Sequence, residues 1–150
     1  YNSVMKKLLL ISLVVFTQIN LSSADFVVKM LNQSSTGVMV FEPAVLEIEV
    51  GDTVTFQSTD AAHNSASIPG MIPAGASEWN GQLSRDTTVT FDIPGIYGYQ
   101  CTPHAMMAMV GVIKVGGDSS NKDSVQAAAK LYKSTFVMNQ TRLDDYLSKI

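Results

Sequence analysis

The chain has 150 residues, of which 46% are hydrophobic and 15% charged, enough for one domain with a proper core. A net charge of −3 and the lack of any basic tract argue against a nucleic-acid partner. The single cysteine, Cys101, excludes an internal disulfide bond.

Residues 1–24 have the features of a secretory signal peptide. A positive pair, Lys6 and Lys7, precedes an apolar run over residues 8–16, and the small residues 22–24 suit a signal peptidase. The four residues before Met5 carry no recognisable signal and are read as upstream of the true translation start. The apolar run is far shorter than the roughly 20 residues of a spanning helix, so no membrane span is predicted for the mature protein.

Export changes both the charge and the meaning of the lone cysteine. Cleavage after residue 23 or 24 removes two lysines and no acidic residue, which leaves 8 basic and 13 acidic residues and a net charge of −5. A single thiol in an oxidising compartment is either reactive or occupied, and its neighbours indicate metal ligation. A signal peptide without a predicted membrane span indicates that the mature protein is exported to a bacterial periplasm.

Short segments separated by turn residues predict an all-β domain over residues 25–118. Apolar and polar residues alternate with the period of half-buried strands in residues 45–50, 53–57 and 87–93. Further apolar runs lie between glycine, proline and asparagine turns, at residues 26–31, 38–41, 96–101 and 110–115. Seven or so short strands without a long helix among them predict an antiparallel β-sandwich or barrel.

The remaining segment, residues 119–150, has a helical period. Apolar residues fall at i, i+3, i+4 and i+7 twice, at Val125, Ala128, Ala129 and Tyr132 and at Leu143, Tyr146, Leu147 and Ile150. Asn121 and Asn139 are candidate start signals. We therefore predict two carboxyl-terminal α-helices packed on the sandwich.

The chemically distinctive residues lie at the ends of predicted strands. Cys101, His104 and Met109 fall within nine residues between two strands, and His63 follows another strand 38 residues before Cys101. Two imidazoles, one thiolate and a distant thioether suit both Cu(I) and Cu(II), as in a trigonal site with a long axial methionine. The four residues therefore predict a type 1 copper centre, held by the strand ends of a rigid sandwich.

Each ligand candidate taken alone has a plainer interpretation. A single cysteine is often buried for packing, a loop histidine is often a surface residue, and methionine commonly fills gaps. Two other functions also stay open. Copper storage or delivery is supported by further methionines, Met39, Met71, Met106 and Met107. An enzyme with Cys101 as nucleophile would need a further acid–base group near the motif, and we expect no enzyme.

The segment C-T-P-H-A-M-M-A-M-V-G-V, with its Cys–His spacing of three and Cys–Met spacing of eight, resembles the pseudoazurins of the cupredoxin family. The resemblance continues in V-K-M-L-N, G-V-M-V-F-E-P-A, G-D-T-V-T-F, H-N and G-M-I-P, and in the two terminal helices. It implies a Greek-key cupredoxin fold and electron transfer by one copper ion cycling between Cu(I) and Cu(II). The implied ligands are His63, Cys101, His104 and Met109.

The resemblance also implies roles for residues beside the ligands. Asn64 corresponds to a residue that joins the two ligand loops and steadies the cysteine sulfur through hydrogen bonds. The exposed edge of His104 would be the exit path of the electron. An apolar partner face is implied around it, formed by Met39, Pro103, Ala105 and Met106.

The implied partners of this monomer are redox proteins, namely a nitrite reductase-like acceptor and an upstream cytochrome or quinol oxidoreductase. Members of the family often surround the apolar face with lysines that steer an acidic partner. Gln33, Ala61 and Gln100 stand at such positions in this chain. We therefore expect weak long-range steering and a more apolar mode of recognition.

Overall fold

The computed structural model describes Thr17, Ile19 and residues 21–150. The signal peptide predicted for residues 1–24 therefore lies largely outside the described residues. In the described part, eight strands form two four-stranded sheets, and two α-helices follow towards the carboxyl terminus. None of the helices described there has the length and apolar character needed to cross a membrane.

One sheet has the strand order β2-β1-β4-β6 and the other the order β3-β8-β7-β5. The strands are β1 (Asp25–Ser34), β2 (Gly37–Glu42), β3 (Val45–Ile48), β4 (Thr53–Gln57), β5 (Ala66–Ser67), β6 (Thr87–Thr90), β7 (Gly95–Gln100) and β8 (Val110–Val115). The α-helices are α1 (Lys122–Tyr132) and α2 (Arg142–Leu147), and two 3-10 helices cover Thr102–Met107 and Lys133–Thr135.

The predicted cupredoxin-like sandwich with two carboxyl-terminal helices is confirmed, and the structure adds the strand directions. β1 runs parallel to β4, and β3 runs parallel to β8, so both sheets are mixed rather than purely antiparallel. The chain leaves the first sheet after β2, adds β3 to the second sheet and returns as β4, which brings non-consecutive strands together. Alternation within single strands carries no information about this direction.

Two apolar clusters lie on opposite faces of the second sheet. Between the sheets, the fully buried residues of β1 and β4 recur with a period of two, which was predicted for β4 only: Val28, Met30, Val54 and Phe56. Strand β8 is buried on both faces, because its other side packs under the helices. That second cluster includes Val110, Val112, Val125, Ala129, Leu143 and Leu147. The helices therefore cover a sheet face that water would otherwise reach.

The structure assigns different roles to the two asparagines that were predicted to start helices. Asn121 does precede α1, but its side chain bonds the N–H and C=O of Ile96 in β7, both at 2.9 Å, instead of capping the helix. Asn139 has a φ of 53° and donates from Nδ2 to the carbonyl of Met107. Helix α2 begins later, after Thr141. Both side chains thus attach the helical extension to the sandwich.

Candidate metal centre

Three donor atoms from two loops converge at one end of the sandwich. His63 Nδ1 and His104 Nδ1 are 3.1 Å apart, and Cys101 Sγ lies 3.5 Å from the first and 3.4 Å from the second. The point equidistant from these atoms is about 2 Å from each, close to the usual metal–nitrogen and metal–sulfur bond lengths. The arrangement therefore fits a single metal ion, and its two imidazoles and one thiolate are the donors of a copper site.

The ligand loop brings three of the predicted ligands together by bonding to itself. The 3-10 helix Thr102–Met107 turns the chain after Cys101, and Ala108 ends it in a left-handed conformation, with a φ of 57°. The N–H of Cys101 donates to the carbonyl of Met109 at 2.9 Å, and the N–H of Met109 donates to the carbonyl of His104 at 3.3 Å. Met109 is fully buried in the same cluster as Cys101. Its role as a fourth ligand stays a prediction.

Burial of the candidate ligands is uneven. His63 and Cys101 are inaccessible to solvent, whereas His104 is only half-buried. Water is therefore kept from the inner side of the site, and His104 is the one imidazole of the pair that a partner could approach.

Asn32 orients the ring of His63 and was not identified from the sequence. His63 Nε2 lies 2.7 Å from Asn32 Oδ1. An amide carbonyl only accepts, so Nε2 carries the proton and Nδ1 of the neutral ring faces Cys101 and His104 with a free lone pair. The strand predicted over residues 26–31 ends before Asn32, but β1 continues to Ser34 because it pairs with β2 up to its end. The one feature of the sequence that could have pointed to Asn32 is its polar side chain at the end of the segment V-K-M-L-N.

Asn64 joins the two loops that carry the donor atoms. Its side chain is buried, Oδ1 accepts the N–H of Thr102 at 2.7 Å, and Nδ2 donates to the carbonyl of Gly81 at 3.0 Å and to Thr102 Oγ1 at 3.1 Å. Thr102 directly follows Cys101, and Asn64 directly follows His63. These bonds are of the kind expected for Asn64, and its effect on copper stays a prediction.

Burial disfavours charge on both inner groups of the metal-free site. Burial, with a smaller contribution from His104, lowers the pKa of His63 below its ordinary value. Burial raises the pKa of the Cys101 thiol, although hydrogen bonds from the backbone of Asn64 and His104 oppose the shift. His63 is therefore neutral and ready to bind a metal at neutral pH, while Cys101 must lose a proton when it does so.

Most residues predicted for an apolar face belong to the 3-10 helix that carries His104. Pro103 and Met106 are exposed, and Met39 and Ala105 are half-buried. The carboxyl-terminal extension adds two residues that the sequence analysis did not include. The N–H of Val137 donates to the carbonyl of Met106 at 2.8 Å, and Val137 and Met138 are both exposed.

Comparisons with known proteins agree with this site. Residues 28–116 match the model of the family described as copper binding proteins, plastocyanin/azurin family. A putative pseudoazurin of Rhizobium leguminosarum bv. viciae is 44% identical over 109 residues, which are 73% of this chain and 72% of that protein. The crystal structure of pseudoazurin from Methylobacterium extorquens AM1 has a TM-score of 0.73 and 37% identity, and covers 83% of this chain and 98% of its own.

A second solved structure gives the same result. Native pseudoazurin from Hyphomicrobium denitrificans has a TM-score of 0.74 and 33% identity, and the match covers 84% of this chain and 98% of that one. This structural match covers so much of the chain that it extends past the strands into the helical extension. The family model, which matches residues 28–116, ends before that extension. The chain therefore belongs to the plastocyanin/azurin family of copper-binding proteins and, within it, to the pseudoazurins.

Proposed function

We propose that the protein is a single-electron carrier and not an enzyme, with one copper ion held by His63, Cys101, His104 and Met109. The observation that supports this most directly is the nearly equilateral triangle formed by the two Nδ1 atoms and the cysteine sulfur. Copper bound there would supply a redox centre that cycles between Cu(I) and Cu(II).

Two asparagine side chains hold the donor atoms of the triangle in place. Asn32 holds the His63 ring in one tautomer, and Asn64 ties the loop of Cys101 to that of His63. Donor atoms on strand ends of a packed sandwich move little, so both copper oxidation states would find nearly the same site. The half-buried His104 is the proposed path for the electron to a partner.

The alternative of copper storage or delivery receives less support from the positions of the methionines. Met71 is fully buried in the cluster under the helices, which is not the cluster that contains Cys101 and Met109. Met106 is exposed, at 58% of its full accessibility. Met71 therefore does not contribute to a thioether site for Cu(I) at the triangle, and of the other methionines Met39 packs against the cluster of Cys101 and Met109.

The proposed function is tested by adding Cu(II) to the purified metal-free protein. We expect one copper ion per chain, because the chain has one cysteine. The thiolate of that cysteine should give an intense thiolate-to-copper absorption band in the red region. Ascorbate should bleach the band, and an oxidant should restore it. Binding of several Cu(I) ions per chain without such a band would instead support storage or delivery.

We also propose that the protein is exported to the periplasm. We propose further that the chain is divided into the three segments predicted from the sequence: a signal peptide over residues 1–24, a copper-binding sandwich over 25–118 and a helical extension over 119–150. Of the two proposed cleavage points, the one after residue 23 keeps the hydrogen bonds of Ala24, whose N–H donates to Asp52 Oδ1 at 2.7 Å and whose carbonyl accepts the N–H of Thr53. Contacts with the sandwich are thus present at the proposed cleavage point.

The proposed partners of the monomer are a nitrite reductase-like acceptor and an upstream cytochrome or quinol oxidoreductase, bound mainly through apolar contacts. The surface beside His104, which we call the apolar face, consists of the predicted residues Met39, Pro103, Ala105 and Met106 together with exposed Val137 and Met138. Gln33 and Ala61, at positions where relatives often have lysine, are exposed and uncharged. Without such a ring of lysines, long-range attraction contributes little to the encounter.

Salt should therefore have little effect on electron transfer to a candidate reductase. We expect the second-order rate constant to fall by less than about tenfold between low salt and about 0.15 M, whereas steered pairs lose up to 10³-fold. Stopped-flow oxidation of the reduced protein measures this directly. The variant Met106→Lys is the matched control, since one added cation should steepen the salt dependence with an acidic partner. A steep loss of rate in the unchanged protein would contradict the prediction.

A further inference from the structure

One side chain connects helix α2 to the ligand loop. Arg142, the first residue of α2, donates from Nη1 to the carbonyls of Met39 at 3.0 Å and Ala108 at 3.1 Å, and from Nη2 to the carbonyl of Val38 at 3.2 Å. Ala108 directly precedes the predicted ligand Met109. The guanidinium therefore bridges β2, the ligand loop and the carboxyl-terminal extension.

The two carbonyls that share Nη1 belong to residues in an unusual backbone conformation. Met39 has a φ of 49° and Ala108 a φ of 57°. Residues with a Cβ occupy this left-handed region at a cost in free energy, and they stay there only where the surroundings hold them. Arg142 supplies a common support for both residues, so its loss would release both at once.

The chain also leaves space for this guanidinium. A Cβ placed on Gly37 would lie 3.0 Å from Arg142 Nη2, closer than a side chain normally approaches. A planar group with five donors can reach three carbonyls in this way, whereas a lysine ammonium in the same place could not reach all of them in one geometry.

We propose that Arg142 is a positioning residue for the copper centre, through its hold on Ala108 and thereby on Met109. The inference rests on the proposed copper function. Ala108 N–H bonds the carbonyl of Ala105 at 3.0 Å, and Met109 N–H bonds that of His104 at 3.3 Å, so a shift of Ala108 moves the end of the loop that presents the thioether. The axial ligand influences the reduction potential of such sites. Helix α2, outside the family-matched residues 28–116, would thus help to set it.

The first test compares copper-loaded variants by visible spectroscopy and by reduction potential. In Arg142→Gln the relative intensities of the thiolate-to-copper bands and the potential should both shift from those of the unchanged protein, and Arg142→Lys should shift them less. The control is Asp144→Asn. This substitution breaks the ion pair in which Lys133 Nζ lies 2.6 Å from Asp144 Oδ2 of α2, and this pair does not include the ligand loop. It should leave both readings unchanged.

The second test uses amide hydrogen exchange in the metal-free protein. The amides of Ala108 and Met109 should exchange at least about tenfold faster in Arg142→Gln, the effect of losing a hydrogen bond from a charged donor. Asp144→Asn should not change them. This test separates the role of Arg142 from the proposed copper function. If the protein gives no copper band, the exchange of the two amides still shows whether Arg142 holds the loop.

Unchanged exchange, spectrum and potential in a folded Arg142→Gln protein would overturn the inference. If that variant does not fold, Arg142→Lys decides, since it keeps the charge and lacks the fork of donors. Equal shifts in Asp144→Asn would also count against a specific role, because they would mean that any loosening of α2 disturbs the loop.

Discussion

Cys101→Ser is expected to abolish the thiolate-to-copper absorption band completely. Cys101 is the chain's only cysteine, so no other residue can supply a thiolate, and a serine hydroxyl is a poor ligand for Cu(I). The serine should be tolerated by the fold, because its hydroxyl can replace the sulfur in the contacts with Nδ1 of His63 and of His104. Absorption spectra after addition of Cu(II), together with circular dichroism, measure both effects.

A matched control for this substitution lies in the same loop. Met107 is half-buried and is not a predicted ligand, so Met107→Leu should keep the band at full intensity. Met109→Leu should keep the thiolate band but change its energy and the reduction potential, since only the weak axial ligand is removed. An intense band that ascorbate bleaches in Cys101→Ser would show that the sulfur of Cys101 is not the copper ligand.

Asn64→Ala is expected to lower the free energy of unfolding of the metal-free protein by about 2–3 kcal/mol. The substitution removes three hydrogen bonds and leaves the carbonyl of Gly81 and the N–H of Thr102 without their side-chain partner. Part of the loss is regained because Thr102 is exposed and its N–H can bond water. Urea unfolding, with an unchanged dependence on denaturant concentration, measures the difference.

The exposed Asn80 offers the same substitution at a site outside the bridge between the two loops. Asn80→Ala should change stability by no more than about 0.5 kcal/mol, as is usual for surface positions. An equally small effect of Asn64→Ala would contradict the bridging role. The copper-loaded form should lose stability as well, because weaker binding of the ion adds to the loss of the hydrogen bonds.

Much of the strand pattern and the candidate ligand set could be predicted from local sequence. The period of two in β4 and the burial of Val54 and Phe56 follow from side-chain alternation, which is a property of neighbouring residues. The spacing of Cys101, His104 and Met109 is likewise local, because one short loop connects them. His63 was recognisable because the chain has only two histidines and each follows a strand.

The residues that hold those ligands depended on the tertiary structure. Asn32 bonds His63 across 31 positions, and Arg142 bonds Met39 across 103, so no local pattern connects either pair. The parallel pairing of β1 with β4 is undetermined locally for the same reason, since it follows from where the chain crosses between sheets. The sequence by itself determined which donor atoms are available and which segments form most of the strands. Only the folded chain decided which amide and which guanidinium hold those donors in place, because packing of distant segments brings them together.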